Sequence, residues 1–174
     1  MNSKFFFGIA GAVLLHSLTL TAQYGSPSYS QSNYQSSFPS SMSTQIEWLQ
    51  SYEDAVNRAR ATSKPIVILF TGTSWCPACI RLERTVLNQP EFSQALAQKF
   101  VFLKAEFPDY SEASVMASPY KSLLDRYGVN AFPTFIVINP NGQVQFTVNY
   151  RDGSAQSYAQ EFLQKMGTGS FRNQ

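Results

Sequence analysis

Histidine and cysteine are scarce in this chain of 174 residues, which contains one histidine and two cysteines. The histidine, His16, lies in an apolar N-terminal segment that has the features of an export signal. Without that segment the chain has no histidine, which excludes a Ser–His or Cys–His catalytic pair. The two thiols also fall short of the ligand set of a tetrahedral zinc site, and no further cysteine or histidine can complete it. We therefore expect no metal and no cofactor.

Charged side chains are sparse as well, at 14% of the residues, and the net charge is only +2. No run of lysines or arginines occurs, which excludes a strongly polyanion-binding surface, and nucleic acid is not expected as a partner. The hydrophobic fraction of 44% is that of a globular protein. The length suits a single domain with its own hydrophobic core.

The first 22 residues have the pattern of a secretory signal peptide. A short basic start that includes Lys4 precedes the apolar stretch 5–20, and Ala22 is a small residue at the expected cleavage point. Leu20 stands where a small residue is preferred, so an uncleaved N-terminal anchor is the alternative. Both alternatives export the domain that follows.

Residues 23–44 contain nine serines and no charged side chain, which is typical of a flexible linker. The patterned part of the chain, 45–168, is predicted to be the folded domain, and 169–174 a short C-terminal tail. The last residues carry no retention signal of the endoplasmic reticulum, which favours a bacterial periplasm as the location.

The domain is predicted to open with a helix. Thr44 is its expected N-cap, and Glu47 completes a capping box. Apolar residues then recur at helical spacing, namely Trp48, Tyr52, Ala55 and Ala59. Lys64 and Pro65 are expected to end this helix.

Strands and helices alternate through the rest of the domain. Strands are predicted at 66–70, 100–107, 134–139 and 143–150, with a hairpin turn at 139–142. Helices are predicted from the cysteine pair to about Asn88, and at 91–99, 120–127 and 154–166, while 108–119 is a loop with some helix. This order predicts an α/β domain whose mixed sheet begins with a parallel βαβ unit and ends with an antiparallel hairpin.

The two cysteines, Cys76 and Cys79, are separated by only two residues. A disulfide between them closes too small a loop to stabilise the fold appreciably, so we interpret the pair as chemically active. Pro77 suits the first position of a helix, which places Cys76 at the helix N-terminus, where the dipole and free N–H groups favour a thiolate. Cys76 is therefore the expected nucleophile, and the more buried Cys79 the expected resolving thiol.

These motifs together resemble the thioredoxin superfamily over residues 45–166. The resemblance lies in Trp75-Cys76-Pro77-Ala78-Cys79 between a buried strand and a helix, in Phe132-Pro133-Thr134 before a later strand, and in the hairpin–helix ending. Within the superfamily, KPIVILFTGTSWCPAC, RLERTVL and GVNAFPTFIVINPNGQV look like the exported thiol:disulfide reductases of the DsbD C-terminal domain and DsbH types. The chain departs from ordinary thioredoxin at Leu69 and Phe70, where that protein has a buried aspartate.

The resemblance implies a thioredoxin-like fold and a redox-active Cys76–Cys79 disulfide. It implies a cis peptide bond at Pro133, which places the backbone of Phe132 where an extended substrate can pair with it. Trp75 is expected to pack beside the dithiol.

Glu83 is the acidic residue of most interest, because its neighbours along the helix are apolar or thiol. Cys76, Ile80, Glu83 and Leu87 are predicted to form one stripe. A partly desolvated carboxylate there could pass protons to or from Cys79, as proposed for the matching glutamate of the DsbD type; an ordinary solvated position is the alternative. Glu106 is a weaker candidate.

The expected function is reduction of disulfides in exported proteins. Neither Pro77 nor Ala78 can donate a side-chain hydrogen bond to the Cys76 thiolate, which favours the reducing end of the family. A reducing protein outside the cell interior needs electrons, so a membrane electron donor is an expected partner. Two alternatives remain: a disulfide oxidase or isomerase that assists folding, and a non-enzymatic redox-sensing or chaperone-like binding module.

Overall fold

The computed structural model describes residues 44–169, so the predicted signal or anchor, nearly all of the linker and the end of the C-terminal tail lie outside the described residues. The strands are β1 (Trp48–Leu49), β2 (Ile66–Thr71), β3 (Val101–Glu106), β4 (Thr134–Ile138) and β5 (Val144–Asn149). The helices are α1 (Tyr52–Thr62), α2 (Pro77–Leu82), α3 (Pro90–Leu96), α4 (Glu112–Ala117), α5 (Lys121–Arg126) and α6 (Ala155–Gly169). A π-helical segment, Glu83–Leu87, directly follows α2. None of the helices within 44–169 has the length and apolar character of a membrane span.

The five strands form one mixed sheet in the order β1-β3-β2-β4-β5. Strand β3 runs parallel to both β1 and β2, whereas β4 runs antiparallel to both β2 and β5. The predicted parallel start and antiparallel end are confirmed. All six residues of β2 are buried, as expected for a central strand covered on both faces.

The two faces of the sheet bury separate sets of side chains. Because neighbouring residues of a strand point to opposite faces, Val67 and Leu69 enter one core and Ile68 and Phe70 the other. We call the side covered by α2, α3 and α6 the first face; its aromatic core is formed by Phe92, Phe100, Phe102, Phe135, Tyr158 and Phe162. The side covered by α1 and α5 is the second face, where Ala55 and Ala59 bring α1 close to the sheet.

The predicted helix start at Thr44 is wrong. Trp48 belongs to β1 and packs edge-on against Phe102, with ring centroids 5.2 Å apart. Helix α1 begins only at Tyr52, and its N-cap is Ser51, whose Oγ accepts a hydrogen bond from the Asp54 N–H at 3.2 Å. The apolar spacing that predicted one helix thus combines one strand residue with a later helix.

The turns lie where glycine was predicted to place them. Gly128 follows α5 with φ of +62°, and Gly142 closes the β4–β5 hairpin with φ of +82°. The N–H of Gly142 donates to the carbonyl of Asn139 at 2.9 Å, which closes the turn. Left-handed backbone of this kind favours glycine because it has no Cβ. Helix α6 runs to Gly169, beyond the predicted end at Met166.

Candidate active site

The two cysteines lie at the carboxyl end of β2, where a short loop leads into α2. Cys76 is the N-cap of α2 with extended backbone, and Pro77 occupies the first turn, where its missing N–H has no partner to lose. The N–H of Cys76 donates to the carbonyl of Gly72 at 2.9 Å. Cys76 and Cys79 form a disulfide with their Cα atoms 5.2 Å apart.

The sulfur of Cys76 occupies the position that a capping oxygen takes at other helices. Its Sγ accepts a hydrogen bond from the Cys79 N–H at 3.2 Å. A thiolate formed there on reduction is stabilised by this donor and by the positive end of the helix dipole. Cys76 is 5% exposed and Cys79 1%, so the outer sulfur is the one predicted to react first.

The loop before β4 faces the dithiol. The Phe132–Pro133 peptide bond is cis. The carbonyl oxygen of Phe132 lies 3.8 Å from Cys76 Sγ. The hydroxyl of Thr134 donates to the carbonyl of Ala131 at 2.8 Å, which ties the loop to the first residue of the strand. The backbone of Phe132 therefore borders the reacting sulfur.

Trp75 lies beside the dithiol in a fixed orientation. Its indole Nε1–H donates to the carbonyl of Phe107 at 2.9 Å, and its ring lies 5.4 Å from Tyr110 and 5.8 Å from Phe132 between centroids. A Cβ at Gly72 would come within 2.4 Å of this ring, so glycine is needed there for the indole to fit. The sequence analysis did not single out Gly72, whose signal was a glycine directly after a buried strand and three residues before Trp75.

The loop before Trp75 is hydrogen-bonded to the last residue of β3 and to the segment that follows this strand. Ser74 Oγ donates to the carbonyl of Pro108 at 2.6 Å, and Thr73 Oγ1 donates to the carboxylate of Glu106. Burial, with a smaller contribution from Glu106, raises the pKa of the Tyr120 hydroxyl in the same neighbourhood. Glu106 is exposed and contacts Thr73 rather than a cysteine, while Ala78, between the two cysteines, offers no polar side chain.

Glu83 has a cation partner that the helical pattern could not reveal. Lys104 of β3 places its Nζ 3.1 and 3.2 Å from the two carboxylate oxygens, and both side chains are largely buried, at 26% exposure for Glu83 and 19% for Lys104. The same Nζ lies 5.3 Å from the centre of the Trp48 ring. The cation comes from the sheet rather than from the helix of Glu83, and the carboxylate is partly desolvated as expected.

The predicted stripe through Glu83 is also not uniform. Ile80 is 38% exposed, whereas Leu87 is buried. The π-helical turn that begins at Glu83 changes the phase of the helix, so residues beyond it do not continue the α-helical face. The proton-transfer role of Glu83 stays a prediction.

Within residues 44–169 no three His, Cys, Asp or Glu side chains converge on a possible metal position.

Residues 47–140 match a family model described as thioredoxin-like. The chain belongs to this thioredoxin-like family. The predicted fold and the predicted superfamily are confirmed.

Two bacterial proteins are similar to this chain in sequence. The disulfide bond reductase DsbH of Chlamydia pneumoniae is 25% identical over 114 residues, which span 65% of this chain and 68% of the relative. The thioredoxin-related protein DsbJ of the same organism is 24% identical over 98 residues, or 56% of this chain and only 28% of DsbJ.

Solved structures give the same fold. The structure of a DsbH oxidoreductase superimposes with a TM-score of 0.62 at 21% identity, over 71% of this chain and 85% of that one. The oxidised C-terminal domain of DsbD from Neisseria meningitidis gives a TM-score of 0.52 at 19% identity, over 68% of this chain and 99% of that domain. At these identities the superpositions establish the fold.

Proposed function

We propose that the chain is an exported thiol–disulfide oxidoreductase that reduces disulfides in other proteins. The observation that carries the proposal is the place of Cys76 Sγ, which accepts from the Cys79 N–H at 3.2 Å and lies 3.8 Å from the Phe132 carbonyl. The first contact stabilises a thiolate, and the second places that thiolate beside backbone able to hold an extended polypeptide.

The reaction begins from the reduced dithiol. The Cys76 thiolate attacks one sulfur of the substrate disulfide, and the other substrate sulfur leaves as a thiolate and takes up a proton. The Cys79 thiol then loses its proton and attacks Cys76 Sγ, which forms the Cys76–Cys79 disulfide and releases the second substrate sulfur as a thiolate that takes up a proton. The substrate gains two electrons and the protein loses two. Glu83, one helical turn beyond Cys79, is the proposed acceptor of the Cys79 proton, with Lys104 holding its carboxylate in place.

The reductive direction is supported by what surrounds Cys76. A strong oxidant near −120 mV needs extra stabilisation of its thiolate, whereas thioredoxin lies near −270 mV. Pro77 and Ala78 supply no side-chain donor, and the capping donor at Cys76 is a backbone N–H. DsbH, which matches this chain, is a disulfide bond reductase by name. We therefore propose a reduction potential below about −220 mV.

Export and an electron donor complete the proposal. The N-terminal pattern of residues 1–22 favours a periplasmic location, either free or tethered by an uncleaved segment. A protein of low potential in an oxidising compartment is reduced only if a membrane partner supplies electrons. Disulfide-containing exported proteins are the proposed substrates.

Two measurements test the function. Reduced protein should accelerate the reduction of insulin by dithiothreitol, and the variant Cys76→Ala should not. Equilibration of the dithiol with a glutathione redox buffer should give a potential below about −220 mV, whereas a value above about −160 mV would favour an oxidase. If insulin reduction is not accelerated, the chain is a redox-sensing or binding module.

A further inference from the structure

An apolar pocket of about 260 Å³ opens on the second face, next to the dithiol. Its lining includes Tyr110, Val115, Leu124, Val129 and Phe132, with Glu112 at one side. Phe132 joins the two sites, because its carbonyl faces Cys76 and the same residue lines the pocket. Tyr110 links them a second time, since its ring contacts both Trp75 and Phe132. The pocket is thus continuous with the backbone that borders the reacting sulfur.

The surface around this pocket is unusually apolar for a solvated region. Within residues 44–169, four large hydrophobic side chains are exposed. Tyr110, at 65%, lines the pocket, and Met116, at 63%, follows the lining residue Val115 in the sequence. A third, Ile80 at 38%, directly follows Cys79. A large exposed apolar side chain at the mouth of an apolar pocket, such as Tyr110, favours a surface that another molecule covers.

Glu112 is the one charged residue among those that line the pocket. The segment 105–120 contains three acidic residues and no lysine or arginine. Among the ion pairs within 44–169, none involves Glu112. A carboxylate beside an apolar pocket favours a ligand that combines an apolar side chain with a nearby positive charge.

We infer that this pocket selects disulfide substrates by the residues next to the reacting cysteine. The occupant is a segment of the substrate polypeptide that carries a large apolar side chain, such as Leu, Met or Phe, within a few residues of that cysteine, and a Lys or Arg beside it. The apolar side chain fills the pocket and the cation pairs with Glu112. This inference rests on the proposed function, which it extends from disulfides in general to a class of substrates.

The test uses the full-length reduced protein and short peptides whose single cysteine is joined to thionitrobenzoate. Attack and resolution release the coloured thionitrobenzoate, so its absorbance follows the reaction. Leu, Lys, Glu or Ser is placed in turn at each position within three residues of the cysteine. We expect at least one position where Leu reacts about tenfold faster than Ser, the usual range for one apolar contact, and another where Lys reacts faster than Glu.

Two variants with matched controls connect these preferences to the pocket. Val115→Phe fills the pocket and should abolish the preference for Leu, whereas Met116→Phe, the next residue on the same helix, should retain it. Glu112→Lys should reverse the preference between Lys and Glu peptides. Its control is Glu91→Lys, which changes the same residue type in the first turn of α3 on the first face. Reactivity of the two control variants, Met116→Phe and Glu91→Lys, with oxidised glutathione should equal that of the unmodified protein, because neither residue lines the pocket.

The outcomes separate the two proposals. If no peptide and no protein disulfide is reduced, the proposed function fails. If all peptides react at one rate, or if Val115→Phe keeps the preference for Leu, the function stands and the pocket inference is overturned. Equal rates are also the result expected if the chain's own uncharged segment 23–43 fills the pocket.

Discussion

The two faces of the sheet differ in how completely they are packed. On the first face, the ring of Phe162 meets the rings of Phe92, Phe100 and Phe135 edge-on, at centroid distances of 6.0, 5.9 and 5.3 Å. On the second face, α4 buries no residue at all, and the apolar pocket lies against it. The helices of the first face bury side chains in an aromatic core, whereas the second face includes one helix, α4, that buries none and borders an apolar pocket.

The difference suits the two faces to different roles: the first face holds the dithiol in position, and the second face receives the substrate. The helix that carries Cys76 and Cys79 packs on the first face, where close packing holds the two sulfurs in position. The open part of the second face meets the dithiol at Phe132 and offers surface to a substrate. A site that must be geometrically fixed and still receive varied polypeptides benefits from this arrangement.

The largest effect is expected from the cysteines themselves. Cys76→Ser should abolish disulfide reduction, because a serine hydroxyl, unlike a thiolate, does not attack disulfides at neutral pH. Cys79→Ser should leave the first attack intact and accumulate mixed disulfides through Cys76, detected by mass spectrometry after acid quenching. Alkylation of the reduced protein at pH 7 should modify Cys76 first; preferential modification of Cys79 would reverse the assignment.

Next in size is the loss of packing on the first face. Phe162→Ala should lower the free energy of unfolding by about 3–5 kcal/mol, since it removes a fully buried ring from an aromatic cluster. Met116→Ala on α4, where the side chain is 63% exposed, should change it by less than about 0.5 kcal/mol. Urea denaturation followed by fluorescence measures both. Similar losses for the two variants would contradict the contrast between the faces.

The fold was predictable where local signals agree with tertiary structure. The apolar run of β2, the Asn139–Gly142 turn and Gly128 each specify local backbone that the sheet then uses. Trp48 misled the prediction because its spacing fits a helix, while its contact with Phe102 is a sheet contact that no local pattern encodes.

The candidate site likewise contains features that the sequence predicts and features that depend on tertiary packing. Cys76, Cys79 and Pro133 lie in short motifs that can be recognised along the chain. The Glu83–Lys104 ion pair joins a helix to a strand 21 residues away, so it depends on how the two elements pack. The indole of Trp75 requires Gly72 for the same reason, because the requirement arises from the close approach of the ring to the backbone.

A smaller effect is expected at Glu83. Glu83→Gln should slow the resolving attack of Cys79 by about tenfold and alter the pH–rate profile, because the amide cannot accept the proton. Lys104→Met keeps the carboxylate but removes the cation that holds it, so it should alter the pH–rate profile as well with a smaller loss of rate. Single-turnover mixing of reduced protein with a disulfide peptide isolates the step. If the profile of Glu83→Gln overlays that of the unmodified protein, Glu83 takes no part in proton transfer.

The smallest effects compare two helix caps on the second face. Ser51 caps α1 and Ser111 caps α4, and each Oγ accepts a backbone N–H at 3.2 Å. Loss of an N-cap costs about 1 kcal/mol, but only where the helix is part of the cooperative fold. Helix α1 buries Ala55 and Ala59, whereas α4 buries no residue.

Ser51→Ala should therefore lower the free energy of unfolding by about 1 kcal/mol. Ser111→Ala should leave the global value nearly unchanged and instead speed amide hydrogen exchange within α4, because that helix can open without unfolding the core. Urea titration and exchange measured by mass spectrometry distinguish the two responses. An equal global loss for both caps would mean that α4 folds cooperatively with the rest, and the open part of the second face would then be as rigid as the face that carries the dithiol.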